Sequence, residues 1–107
     1  MSQGRRWEVT DVAGNPVYLT EERWEHICEG HPEILDREDQ LRETIRKGRR
    51  RQDAIEPDKF RYSLDVPNLP YGFAHIVAIV LFRFDVADEG ALSANNFIVT
   101  AYGKAMR

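Results

Sequence analysis

The stretch LTEERWEHICEGHPE, residues 19–33, decides how the rest of this sequence is interpreted, because it encodes a short helix with its start and its end. Thr20 is a suitable N-cap, since its hydroxyl can accept a hydrogen bond from an unpaired amide of the first turn. Gly30 permits a left-handed terminating residue, and Pro32 prevents simple continuation of the helix. Two of the three histidines of the chain, His26 and His31, lie in this stretch. They are the first candidates for chemistry, because imidazole exchanges protons near neutral pH.

Length and composition indicate a single domain spanning residues 1–107. A chain of this size can bury a modest core without disulfides or metal. The single cysteine, Cys28, excludes an intrachain disulfide and fits a reducing, cytoplasmic location. The longest apolar run, residues 76–82, is far shorter than the roughly 20 residues of a membrane-spanning helix, so no membrane association is expected.

Hydrophobic periodicity predicts the elements on either side of this helix. Residues 7–12 and 17–19 alternate around a Gly-Asn-Pro turn and predict a short hairpin. After the first helix, Asp36 is expected to cap a second helix that ends at Lys47, with Gly48 as its stop.

The second half of the chain reads mainly as strands. Alternating or continuously apolar segments predict them at 60–66, 73–84 and 96–102, with a shorter strand near 54–58. Residues 85–95 are expected to form a polar loop. The predicted fold class is α+β, with N-terminal helices packed on an antiparallel sheet of about four strands and preceded by a short hairpin.

The histidines have structural alternatives to a catalytic role. His26 and His31 would lie about 140° apart on a continuous helix, but a turn at Gly30 would let His31 fold back toward His26. Otherwise His26 packs against a carbonyl group and His31 is a cation at the negative end of the helix dipole. A zinc site from these histidines, Cys28 and a carboxylate matches no standard ligand spacing, and an apolar-side thiol is expected to be unreactive. His75, within the most apolar strand, is expected to be a hydrogen-bonded core histidine.

A run of basic residues opens the second half of the chain. Five of the six positions 46–51 are positive on a chain whose net charge is −3. Such a cluster on an otherwise acidic domain predicts a polyanionic partner. A solvated helix end that complements the helix dipole is the alternative. The residues assigned to nucleic-acid binding are Arg42, Arg46, Lys47, Arg49, Arg50, Arg51 and Lys59.

The last predicted strand carries a polar pair. Thr100 and Tyr102 are two residues apart and therefore point to the same face of a strand. The pair indicates a site on that face, although a solvent-facing sheet surface would give the same pattern.

Taken together, these motifs resemble the phage-type branch of the barnase, EndoU, colicin and RelE-like (BECR) ribonucleases over roughly residues 17–103. The similarity lies in the His26 helix followed by His31-Pro32-Glu33, in the Leu41…Ile45 helix, and in the closing Ile98-Val99-Thr100-Ala101-Tyr102. It implies an RNA-cleaving toxin or effector domain that uses no metal and no cofactor. The catalytic residues that it implies are His26, His31, Arg61, Thr100 and Tyr102.

The chemistry implied by this resemblance is attack of the RNA 2′-hydroxyl on the adjacent phosphorus. His26 and His31 would share the acid and base roles, for which an unperturbed histidine pKa of about 6.5 is suited. Arg61 would bind the phosphate through its planar guanidinium group, and Thr100 and Tyr102 would donate to the same oxygens.

A non-catalytic RNA-binding or protein-binding domain of the same fold is the competing hypothesis, since it needs the basic run but no convergence of histidines with the last strand. The expected partner is RNA, with tRNA and mRNA as candidates. A cognate inhibitor protein and a second copy of the chain are further candidates, suggested by the exposed-looking Trp7 hairpin and the thinly apolar second helix.

Overall fold

A computed structural model describes residues 4–105 of the chain. In this range the chain forms six strands and two helices. Two 3₁₀ turns, Pro32–Ile34 and Pro70–Gly72, connect α1 to α2 and β4 to β5. The elements are β1 (Arg5–Thr10), β2 (Pro16–Thr20), α1 (Glu21–Gly30), α2 (Glu38–Lys47), β3 (Arg49–Gln52), β4 (Lys59–Asp65), β5 (His75–Val86) and β6 (Leu92–Lys104).

All six strands belong to one sheet, in the order β1-β2-β6-β5-β4-β3. Neighbouring strands are antiparallel, except that β2 runs parallel to β6 and is paired with it at Tyr18 and Phe97. The first two strands in sequence therefore join the last one. Beyond Phe97, α1 and the 3₁₀ turn that follows it pack against β6.

The predicted arrangement of N-terminal helices on a sheet of about four strands is wrong. The fold is a mixed α+β fold with six strands, and two of these precede the helices. The hairpin does not stand apart from the sheet, because β2 pairs with β6. The sixth strand is the basic segment Arg49–Gln52, which pairs with β4 and continues the sheet on its far side.

Local signals predicted some boundaries and failed at others. Thr20 caps α1 as predicted, since its hydroxyl accepts a hydrogen bond from the Arg23 amide at 3.1 Å. The helix ends at Gly30 without a left-handed residue there. Asp36 does not cap α2, because the residue before that helix is Arg37 and makes no side-chain cap. The end of α2 at Lys47, with Gly48 following, is confirmed.

Two segments differ from their predicted conformation. Residues 85–95 are not a loop, because β5 continues to Val86, β6 begins at Leu92, and a tight turn joins them. The predicted strand near 54–58 is instead part of the connection between β3 and β4. The polar composition of residues 85–95 predicts a loop, but the pairing of β5 with β6 continues into this segment as far as Val86 and Leu92.

The hydrophobic core lies between the helices and one face of the sheet, which we call the inner face. Alternation along β4 and β5 turns Tyr62, Ile76 and Val80 to this side, where all three are fully buried. Leu41 and Ile45 of α2 are also fully buried in the same core. The opposite, outer face of the sheet carries the alternate residues of each strand.

A buried polar contact on the inner side connects the turn after β1 with β3 and β4, at the opposite edge of the sheet. Asp11, in the turn after β1, accepts a hydrogen bond from the Tyr62 hydroxyl, and the guanidinium group of Arg50 lies 3.3 Å from the same carboxylate. β1 and β3 are the two edge strands, so this contact requires the sheet to curl around α2. Trp7 is half-buried against the core and donates to Glu38 at 2.7 Å, so it is not the exposed residue suggested by the sequence.

Within residues 4–105, no helix combines the length and the apolar character needed to cross a membrane.

Candidate nucleic-acid interface

Strand alternation sorts the polar residues of the second half onto the outer face. In the register of the sheet, Arg51 is paired with Arg61, Arg61 with Ile79, and Ile79 with Thr100. Paired residues on adjacent strands point to the same side. The outer-face residues that bear on function are Arg49, Arg51, Arg61, Ser63, Asp65, His75, Thr100, Tyr102 and Lys104.

A groove of about 770 Å³ runs over the outer face and is lined by residues of α2, β3, β4, β5 and β6. Its lining contains five cationic side chains but one carboxylate, that of Asp65, in a chain whose net charge is −3. A concave surface of one sign concentrates counter-ions and ligands of the opposite sign. The five cationic residues are Lys47, Arg49, Arg51, Arg61 and Lys104.

Most of these groove cations are not neutralised by a neighbour. Lys47 lies 2.8 Å from Glu43 on the same helix. Among the described residues, no carboxylate within 4.0 Å forms an ion pair with Arg49, Arg51, Arg61 or Lys104. Phosphate oxygens would therefore meet unpaired guanidinium and ammonium groups along the groove.

Four of the five residues predicted to be catalytic lie on or beside this face. Arg61 and Thr100 sit in one row of the sheet, with Ile79 between them, so their backbones are roughly 10 Å apart. Tyr102 is in the next row, and the ring of His31 packs against it with 5.8 Å between the ring centroids. The end of α1 therefore contacts the last strand, and Arg61 lies two strands further across the same face.

His31 is positioned by a buried carboxylate at the rim of the sheet. Its Nδ1 lies 3.5 Å from Oε2 of Glu33, which is buried and also accepts a hydrogen bond from the Gly103 amide at 2.8 Å. Gly103 is closely packed, since a β-carbon there would lie 2.7 Å from the Phe73 ring. Glu33 therefore fixes the turn after α1 to β6, next to the contact between His31 and Tyr102.

His26 is not part of this group. Trp24 and Ile27 are the residues of α1 that point into the core, and His26 lies on the exposed side of the same helix. Within residues 4–105, no hydrogen bond, ion pair or aromatic contact joins its ring to another side chain. The turn at Gly30 does not bring the two histidines of the opening stretch together.

His75 occupies a different environment from the one predicted. Its side chain is 24% exposed rather than buried, it lines the groove, and its Nδ1 lies 2.6 Å from Oδ1 of Asp65. Asp65 and His75 are paired across β4 and β5, one on each side of the connecting loop. Sequence reasoning missed this pair, although two polar residues flanking the connection of antiparallel strands are the signal that could have revealed it.

The basic run is divided by the period of the strand that it forms. Arg49 and Arg51 face the groove, whereas Arg50 points inward to Asp11 and stacks over the Phe60 ring at 3.9 Å. The remaining predicted nucleic-acid ligands form short local ion pairs outside the groove lining. These pairs are Arg42–Asp39 at 2.5 Å, Arg46–Glu43 at 4.0 Å and Lys59–Glu56 at 2.5 Å.

The pKa shifts mark structural groups away from the groove. Burial opposes ionisation of Asp11, but hydrogen bonds from Tyr62 and Asn15 outweigh it, so the pKa of this carboxyl is lowered. Burial, and then the hydrogen bond to Asp11, raises the pKa of Tyr62. Burial likewise raises the pKa of the Cys28 thiol, in agreement with an unreactive side chain.

In the part of the chain that the structure describes, no group of three or more His, Cys, Asp or Glu side chains is arranged to hold a metal ion. The zinc alternative built on His26, Cys28 and His31 therefore has no support in the geometry. Comparisons with protein-family models, curated proteins and solved structures found no match to this chain.

Proposed function

We propose that this protein binds RNA along the groove of its outer face and cleaves it, without a metal ion, as a BECR-like ribonuclease domain. The observation that carries the proposal is the set of groove cations on an acidic chain, with an imidazole at the rim of the same face. Cations give affinity for the phosphate backbone, and histidine gives proton transfer at neutral pH.

In this proposal the RNA backbone follows the groove, and the guanidinium group of Arg61 binds one of its phosphates by donating to two oxygens together. Thr100 and Tyr102 present hydroxyl groups on the same face. His31, at the rim beside Tyr102, protonates the departing 5′ oxygen.

Incubation of the purified protein with tRNA and with an unstructured mRNA fragment, in excess chelator, tests this function. The expected products end in a 2′,3′-cyclic phosphate and a 5′-hydroxyl, because the 2′-oxygen is the nucleophile. The same RNA with 2′-O-methyl groups should bind but stay intact. If unmodified RNA remains whole at high protein excess, the ribonuclease proposal is wrong.

A non-catalytic RNA-binding domain of the same fold is the second candidate. It is favoured by one observation, the exposed position of His26 outside the group formed by His31, Tyr102 and Thr100. This candidate predicts that wild-type protein binds the unmodified and the 2′-O-methyl RNA equally and cleaves neither. A filter-binding titration beside the cleavage assay distinguishes the two candidates.

A further inference from the structure

We propose that His75, held by Asp65, is the general base that takes the proton from the RNA 2′-hydroxyl. This inference rests on the proposed ribonuclease function and supplies its second proton-transfer group. One histidine cannot readily accept a proton from the nucleophile and donate one to the leaving group in the same step. Because His26 lies outside the group on the outer face, another residue has to supply the second proton-transfer group.

The position of His75 meets the first requirement of a general base, which is access to the substrate. It lies on the outer face at the start of β5, lines the groove, and is 24% exposed. It is paired with Lys104 on β6 and with Asp65 on β4. The Cα atoms of His75 and Lys104 are therefore about 5 Å apart, so the imidazole and the ammonium group project from adjacent positions of the same face.

Asp65 gives the imidazole a defined tautomer. The ionised carboxylate has no proton to donate, so its position 2.6 Å from Nδ1 favours the tautomer that carries the proton on that nitrogen. In the neutral ring, Nε2 then holds the lone pair that a general base needs.

The two histidines approach β6 from opposite sides. His31 reaches Tyr102 from the end of α1, and His75 is on β5, the strand hydrogen-bonded to the other side of β6. Tyr102 is paired with Val77, two residues after His75 on the same face. An RNA backbone that crossed β6 near Tyr102 and Lys104 would lie between the two imidazoles, as in-line displacement with a separate acid and base requires.

The step balances without any co-reactant. The 2′-hydroxyl loses its proton to Nε2 of His75 as the bond from the 2′-oxygen to phosphorus forms. The bond from phosphorus to the 5′-oxygen then breaks, and that oxygen receives a proton from His31. The products are a 2′,3′-cyclic phosphate and a 5′-hydroxyl.

A purely structural ion pair is the alternative for His75 and Asp65. The Asp65 side chain is 89% exposed, however, so water competes for it and screens the pair. The charged groups around His75 are Asp65 from β4, Lys104 from β6, Arg49 from β3 and Lys47 from α2, and all of them line the same groove. The pair therefore lies within the lining of the groove in which we propose that RNA binds.

The test compares cleavage by wild-type protein, His75→Gln and Asp65→Asn, with binding of 2′-O-methyl RNA measured in parallel. Asp58→Asn is the matched control, because it breaks another exposed pair, with Arg83 at 3.2 Å, that does not line the groove. His75→Gln should lower the cleavage rate at least a hundredfold, with affinity for the 2′-O-methyl RNA within about threefold of wild type. Asp65→Asn should lower the rate at least tenfold, and Asp58→Asn less than twofold.

Each other outcome is decisive. If wild-type protein cleaves and His75→Gln cleaves within threefold of it, the assignment of His75 is overturned and the ribonuclease function stands. If His75→Gln loses affinity and rate by the same factor, His75 binds RNA and is not the base. If wild-type protein does not cleave, the ribonuclease function and this inference are both wrong. Circular dichroism of each variant excludes unfolding as the cause, and Asp65→Asn keeps the test open if His75→Gln is unstable.

Discussion

At the residue scale, the contact between Asp11 and Tyr62 joins the first hairpin to the far side of the sheet. The Asp11 side chain is fully buried, and Arg50 offsets its charge at 3.3 Å. A buried carboxylate is tolerated only when hydrogen bonds and a counter-charge replace its hydration. The turn amides of Ala13 and Asn15 also donate to Asp11, so the carboxylate organises its own turn as well.

Asp11→Asn should destabilise the protein at neutral pH and weaken its response to acid. The pKa of Asp11 is lowered in the folded state, so its stabilisation is complete above the unfolded pKa of about 3.9 and is lost as pH falls through the folded value. We expect the free energy of unfolding at pH 7 to fall by about 1–3 kcal/mol. Urea titrations at pH 7 and pH 3 measure this. An equal difference between wild type and variant at both pH values would contradict the assignment.

The two histidines of α1 and its C-cap should differ in their effect on RNA cleavage. His31 packs against Tyr102 and His26 is exposed on the far side of the helix. We expect His31→Ala to lower the cleavage rate about a hundredfold, the usual scale for loss of a general acid. His26→Ala should lower the rate by no more than about tenfold. Single-turnover rates give the comparison. Equal losses would mean that His26 reaches the substrate in a way not seen in this fold.

At the scale of an element, β3 uses strand alternation to divide a basic run between two tasks. Arg49 and Arg51 face the groove, and Arg50 between them enters the contact with Asp11. The same three residues on a helix would point in three directions. Counting charges along the sequence overestimates the interface, because some of these cations hold the fold together.

Replacing both groove arginines of β3 should weaken RNA binding without unfolding the protein. The logarithm of the affinity falls with the logarithm of the salt concentration. For the double variant Arg49→Ala and Arg51→Ala, we expect this negative slope to become shallower by about 1.4, since each lost contact with single-stranded RNA removes about 0.7. Arg50→Ala should instead lower the free energy of unfolding. Arg23→Ala, on the exposed side of α1, is the matched control for charge. A salt slope unchanged in the double variant would exclude this face as the interface.

The sequence predicted elements whose signals are local. The hydrogen bond that caps α1 joins Thr20 to Arg23, three residues later. The end of α2 before Gly48 is determined by residues of a single helical turn. The pairing of Tyr18 with Phe97 depends on residues far apart in the chain, and no local pattern contains it. For the same reason the number of strands and the place of the hairpin were wrong.

Part of the candidate site was also accessible from the sequence. The shared face of Thr100 and Tyr102 follows from strand period alone, and the structure keeps it. The sequence predicts a core histidine at position 75 because this residue lies within the most apolar predicted strand. His75 is instead the first residue of β5 and faces the outer side, opposite to Ile76. Its partner Asp65 becomes visible only once the β4–β5 register is known.

At the scale of the whole molecule, the fluorescence of the two tryptophans is sensitive to the packing of the hairpin against the helices. Trp7 donates to Glu38 at the start of α2, and Trp24 is buried in the core from α1. Val17 and Leu19 of β2 are fully buried in the same core. The hairpin is therefore expected to unfold together with the rest of the domain.

Thermal unfolding followed by tryptophan fluorescence and by far-ultraviolet circular dichroism should give one midpoint. Coincident transitions are the signature of all-or-none unfolding in a small domain. Asp11→Asn should shift both midpoints downward together. A fluorescence change that precedes the loss of circular dichroism would show that the hairpin detaches separately.

The pairing of β2 with β6 also determines when this fold can be completed during synthesis. The side chain of Asn96 donates to the Pro16 carbonyl across 80 positions of the chain, and the Tyr18 hydroxyl reaches Asn95 across 77. A ribosome releases the hairpin long before it releases the strand that will receive it. Until then Val17 and Leu19, both apolar, have no sheet to enter. We expect the nascent chain to depend on chaperones during this interval. Contacts between residues far apart in the sequence slow folding and leave hydrophobic surface exposed until they form.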